Sequence, residues 1–308
     1  MGPIKPVTPP GSLFWRILHF PPLLIIIGMV MVIGPEIIVS MIAHFVVHAQ
    51  GPLGTLATAL CETLAAVAGY VLFVRFVERR PAVSEFAAPG WSKELGAGLL
   101  TGLLLFSLVV AVIALFGGYH VIGEHPVTAL FPVLALSLVS GVGEEIVVRG
   151  IIFRLVESSL GSWIALIFSA ALFGAGHLGN AHAGLLPAVA IALEAGIMLA
   201  ALYMLTRRLW AAIGVHAAWN FTQGGIYGIA VSGNAVDGAL IPRISGPDLL
   251  TGGAFGAEAS LPAILICTIF GVVVTTIAYR RGRFVKPFWA RTEVGARANV
   301  GEADRNRE

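Results

Sequence analysis

The sequence predicts an all-α, polytopic membrane protein with about eight transmembrane helices, and three observations carry that expectation. Of the 308 residues, 57% are hydrophobic and 12% charged, and the mean hydropathy is +0.89, too apolar for a soluble domain. Apolar stretches long enough to cross ~30 Å of hydrocarbon recur near 21–48, 54–76, 94–117, 127–148, 162–178, 185–206, 209–230 and 260–280. Lysine and arginine alternate with this span count as the positive-inside rule requires.

Residues 1–20 are proline-rich, carry Lys5 and Arg16, and are expected as a cytoplasmic tail before an uncleaved first span, because a secretory signal has a shorter apolar core and a small-residue cleavage site. Residues 21–280 form the expected eight-helix membrane domain. Arg75, Arg79, Arg80 and Lys93 fall between spans two and three, Arg149 and Arg154 toward the end of span four, and Arg207 and Arg208 between spans six and seven. Eight more lie in the tail from Arg280 to Arg307. Only Arg243 falls on the opposite side, so both termini are expected inside, at a plasma (inner) membrane. Glu78 to Trp91 reads as a cytoplasmic interfacial segment, and 231–259 as the one long external loop. The stretch 281–308 is Arg-rich, without apolar periodicity, and reads as a disordered tail. Cys61 and Cys267 both lie in apolar stretches and read as core residues. No internal repeat argues for a transporter built from inverted halves.

Ionisable residues inside the spans are functional candidates by default, because each costs roughly 2.5–3.5 kcal/mol at a helix centre on insertion scales. The segment 141–150 holds three: Glu144, Glu145 and Arg149. Glu145 and Arg149 are four apart with the acid first, the favourable order for a pair on one helix face. Glu144, ~100° round the helix, needs another partner or another purpose. His177 lies toward the far end of span five, and His216 and Asn220 are i and i+4 on span seven, facing the same way. At 1.5 Å per residue, Glu144 stands ~20 Å, His177 ~22 Å and His216 and Asn220 ~10–16 Å above the cytoplasmic ends of their helices, depths compatible with one cavity. A carboxylate, two histidines and an amide suit hydrolysis: the carboxylate takes a proton from water, a histidine orients the water or delivers the proton, and fixed donors hold an oxyanion.

Other membrane protease chemistries find no support. The chain's aspartates, Asp237, Asp248 and Asp304, fall in loop and tail, so no di-aspartyl pair exists. Neither a His-Glu-x-x-His zincin motif nor a Gly-x-Ser-Gly nucleophile occurs. A carboxylate mechanism or an atypical metal site remains.

Glu144-Glu145-x-x-x-Arg149, Phe173-x-x-x-His177 and His216-x-x-x-Asn220, in this order on successive membrane helices, resemble the CAAX-protease and bacteriocin-processing (Abi) family of intramembrane proteases. The likeness covers about 127–230, a third of the chain. It implies a glutamate-dependent endopeptidase with an eight-helix fold and a catalytic cavity open toward the cytoplasm. By the same likeness Glu144 and His177 activate the water, His216 and Asn220 form the oxyanion hole, and Glu145 and Arg149 brace the site. Relatives trim prenylated CAAX proteins or process bacteriocins, but a CAAX substrate is not transferred here.

The expected partners are membrane lipids and a membrane-associated polypeptide substrate, with no nucleic acid. No cofactor is expected. A zinc site formed by Glu144, His177 and His216 would have the three protein ligands of a catalytic zinc, and is the less favoured alternative because the ligands are spread over three helices and Asn220 is a poor zinc ligand. A non-catalytic scaffold or immunity protein, and a proton-conducting transporter using Glu36, Glu62 and Glu194, are the other classes considered. Of these three acids Glu194, beside the proposed site, is the one of interest.

Overall fold

The computed structural model describes residues 18–291, and the packing that builds it is that of helices in lipid. Seven helices among the described residues are long and apolar enough to cross a membrane: α1 Pro21–Val47, α2 Gly51–Val77, α3 Trp91–Leu115, α4 Val127–Leu160, α5 Ser162–Gly179, α6 Leu185–Thr206 and α8 Leu261–Arg280. The stretch expected as span seven forms a shorter helix, α7 Trp210–Asn220, which runs on as a π-helix over Phe221–Ile226. Most of α7 is buried, so it is an inner helix surrounded by protein and has no need of full bilayer length.

Small residues let these helices approach closely, as association without a hydrophobic driving force requires. A Cβ added at Gly98 would stand 2.5 Å from the Ala211 carbonyl oxygen, and one at Gly214 would stand 2.6 Å from that of Leu95. The α3–α7 contact is therefore backbone against backbone. Gly174 against the Ala188 carbonyl does the same for α5 and α6.

The helices define two ends. At the basic end lie the turns 78–91, 160–162 and 207–210 and the segment 281–291. These are cross-linked: the Leu209 amide donates to the Glu85 carbonyl (2.9 Å), Arg207 pairs with Glu157, and Arg291 donates to the Ser158 carbonyl (2.8 Å). Arg80 donates to both oxygens of Glu85 (2.9 and 2.8 Å) and to Glu78 (3.1 Å), while Arg154 of α4 donates to both oxygens of Glu78 (2.9 and 2.8 Å). Burial opposes the charge on Glu85, yet Arg154 and Arg80 hold its carboxyl below the ordinary range. The segment after α2, expected at the interface, is thus tied by buried ion pairs to the helix that carries Glu144.

At the far end, β1 Tyr119–Glu124 pairs antiparallel with β2 Leu240–Ile244, giving the loop 231–259 a strand that its composition did not announce. Asn180 donates to the Ser232 carbonyl (3.0 Å) and Tyr119 to that of Tyr227 (3.0 Å). The tail expectation divides: 281–291 pack on the basic end, and 292–308 lie outside the described residues, as do 1–17.

α4 is not uniformly α-helical. It winds as a π-helix over Ser140–Glu144 and again over Ile146–Phe153, with Glu145 between them, and α6 does so over Ala192–Gly196. Wide turns of this kind are rare and gather at functional sites.

Candidate active site

Glu145 and Arg149 are the most enclosed of the six residues singled out by the sequence. The Glu145 side chain is fully buried, and its Oε1 accepts from Arg149 Nη1 (2.7 Å) and lies 3.0 Å from His216 Nδ1. Arg149, equally buried, turns its Nη2 to the carbonyls of Ala195 (3.1 Å) and Gly196 (3.2 Å). Both carbonyls sit at the end of the wide turn of α6, where the regular backbone ladder is interrupted, and the guanidinium supplies them with donors. Its Cζ also lies 4.6 Å from the centroid of the Phe173 ring. That ring contacts both histidines edge to face, His177 at 4.9 Å and His216 at 5.9 Å, which gives the Phe173-x-x-x-His177 spacing a packing role.

Glu144 differs from its neighbour in every respect that matters for chemistry. Its side chain is 40% exposed, and its Oε2 lies 4.0 Å from His216 Nε2. His177, at the C-cap of its α-helical segment, has Nδ1 2.7 Å from the Phe173 carbonyl oxygen. A carbonyl only accepts, so the proton is on Nδ1 and Nε2 keeps its lone pair. By the same logic the Glu145 carboxylate fixes the proton of His216 on Nδ1. Asn220 donates one amide hydrogen to Ser140 Oγ (2.8 Å), and Ser140 donates to the Leu136 carbonyl (2.8 Å). The second amide hydrogen of Asn220 remains for another acceptor.

Glu144, Gly143 and His177 face a cavity of about 830 Å³, whose walls also carry Glu36 of α1 and Glu62 of α2. A Cβ at Gly143 would stand 2.7 Å from Glu36 Oε1, so glycine there leaves room for the Glu36 carboxyl beside α4. Behind the histidines a separate chamber of about 30 Å³, room for an ordered water, is lined by His216, Asn220, Ser232, Glu194 and Glu258. Glu194 and Glu258 are each 2% exposed, each with one oxygen lacking a hydrogen-bond partner among the described residues. Burial pushes the Glu258 carboxyl up to about 7, against hydrogen bonds from Ser232 and Gln223.

All six sequence-predicted residues therefore meet in one region, Glu144 and His177 on the cavity and Glu145 and Arg149 sealed beneath it. Sequence reasoning missed Ser140 and Glu258. Ser140 stands four residues before Glu144 on the same helix, a signal that was readable. Glu258 lies in a loop remote in sequence, where nothing marks its return to His216.

No three His, Cys, Asp or Glu side chains among the described residues are arranged to hold a metal ion. On both histidines Nδ1 is engaged, by the Phe173 carbonyl on His177 and by the Glu145 carboxylate on His216, which leaves Nε2 as the open nitrogen of each ring.

Residues 126–222 match the family model described as type II CAAX prenyl endopeptidase, Rce1-like. The matched segment contains all six site residues, whereas Glu36, Glu62 and Glu258 lie outside it. No curated protein and no solved structure matches the chain.

Proposed function

We propose, from the family that residues 126–222 match, that this chain is an integral membrane endopeptidase in which Glu144 and His177 activate water without a metal. The observation that carries the reading is the contrast within one adjacent pair. Glu145 is neutralised and enclosed, while Glu144 is open to a cavity whose wall also carries His177, with a free ring nitrogen.

The Glu144 carboxylate takes a proton from water as the oxygen attacks the scissile carbonyl carbon. His177 Nε2 accepts a hydrogen bond from the same water and orients it. The resulting oxyanion receives the second Asn220 amide hydrogen and a proton on His216 Nε2. The latter requires the doubly protonated ring, whose Nδ1–H donates to Glu145 at 3.0 Å. Collapse breaks the C–N bond, and the proton held by Glu144 passes to the leaving nitrogen. Oxyanion donors are worth most where water is excluded and the donors are fixed in advance; here Ser140 fixes one and Glu145 the other.

The substrate in this reading is a membrane-associated polypeptide. The test compares the protein termini of membranes from cells expressing the wild type and Glu144→Gln, both first checked for equal amounts of monodisperse protein in detergent. New termini found only with the wild type are expected. Identical sets of termini would favour the scaffold reading.

A further inference from the structure

The cavity of Glu144 has a direction. Four helices line it, α1, α2 and α5 with the half nearer the far end and α4 from near its far end to just past its middle: residues 33–49 from α1 and the loop after it, 55–62 of α2, 132–148 of α4 and 172–180 from α5 and the residue after it. Its rim includes Ala49 in the turn between α1 and α2 and Asn180 beyond α5. No residue of 78–91, 154–162 or 203–210 reaches it. On that side the bundle is filled by the buried rings of Tyr70, Phe153 and Tyr203, and beyond them by the ion pairs of Glu78, Arg80, Glu85 and Arg154.

The two ends also differ in charge. Arg75, Arg79, Arg80, Lys93, Arg154, Arg207, Arg208, Arg280, Arg281, Arg283, Lys286 and Arg291 all lie at the basic end, and among the described residues only Arg243 lies at the far end. Arg149 is in the interior, paired with Glu145. A surplus of this kind in short connections marks the cytoplasmic side.

We infer that the cavity is entered from the extracytoplasmic face, and that the polypeptide it receives is a segment exposed on that side of the membrane. The second half of this statement rests on the proteolytic reading, while the first does not. A chain terminus held in the cytoplasmic leaflet would meet the sealed end, so the cytosolic opening that the family likeness implied is reversed for this chain. The polar groups of the rim, Ser40, His44 and Thr55, give an extended backbone hydrogen-bonding partners on its way to Glu144.

Cysteine accessibility tests this without a known substrate. In a Cys61→Ser background, the full-length chain carries Thr58→Cys on the cavity wall, Thr55→Cys at the rim, or Ala88→Cys at the basic end. Each is treated with a charged, membrane-impermeant methanethiosulfonate in intact cells and in inside-out vesicles. Thr58→Cys and Thr55→Cys are expected to react in intact cells and Ala88→Cys only in the vesicles. Reaction of Thr58→Cys in vesicles alone, or from neither side, overturns the inference. If Thr58→Cys does not accumulate, Thr55→Cys decides by the same two outcomes. Failure to find cleavage products would remove the proteolytic reading and leave this labelling result standing.

Discussion

Replacing Arg149 by alanine takes the one buried cation away from Glu145, whose side chain has no exposure. Removing one partner of a buried pair typically costs about 3–5 kcal/mol, because a charge is left uncompensated. The carbonyls of Ala195 and Gly196 lose their donor as well, at about 1 kcal/mol each if water cannot replace it. His216 still faces Glu145 and offsets part of this, so we expect a net loss of roughly 4–6 kcal/mol. Unfolding in mixed micelles titrated with a denaturing detergent, followed by circular dichroism, measures it. The informative companion is Glu145→Leu with Arg149→Met, which removes both charges at similar volume. Such exchanges are often neutral, leaving chiefly the unpaired His216 Nδ1, so most of the lost stability returns. A single variant within about 1 kcal/mol of wild type, or a double variant as unstable as the single, would refute the account of Arg149 as the counter-charge.

Other expectations follow from the same geometry. With a substrate peptide identified, Asn220→Ala lowers kcat by roughly 10²–10³-fold with KM little changed; an unaltered kcat removes Asn220 from the oxyanion site. Glu258 ionises near pH 7 in the folded state and near 4.5 when unfolded. The unfolded chain therefore sheds this proton first, and stability falls as pH rises from 4.5 to 7, by roughly 3 kcal/mol. Melting curves at pH 5 and pH 8 should differ less in Glu258→Gln than in the wild type, and an equal difference would contradict the assignment. Purified protein is expected to retain its cleavage activity in chelator and to hold well below one zinc per chain; a tightly held zinc that disappears in His177→Ala would overturn the metal-free mechanism.

The membrane class and seven of the helices were legible because lipid imposes a single requirement, length of apolar chain, that composition alone meets. The candidate site was legible because charge in an apolar run has few innocent explanations. Glu145 and Arg149 pair at the spacing that predicted it, and Glu144 is the residue left over. What spacing could not give was the partner of His216. Glu145, assigned only to Arg149, also fixes the His216 ring, a contact across 71 residues that no local pattern encodes. The inner position of α7 was equally hidden, since an apolar helix reads the same whether lipid or protein surrounds it. The burial of Glu78 and Arg80 escaped notice because charges beside a span end read as interfacial until a tertiary partner, here Arg154, is known.

The winding of α4 has a genetic consequence. A π-turn is an α-helix carrying one residue too many, and its wide winding absorbs that residue so that the two flanks keep nearly the phase they would have without it. Deleting Val142 would let the wide turn before Glu144 relax to ordinary winding with little net rotation of the Leu130 side, whereas deleting a residue from the regular turns of Leu130–Val139 would swing everything before it by about 100° against Glu145, Arg149 and the ionic latch at the basic end. Glu144 is the last residue of that first wide turn. A single-codon loss inside the wide turn is therefore the change of length this helix absorbs best, while the same loss one turn earlier disrupts the packing although it spares every side chain named at the site.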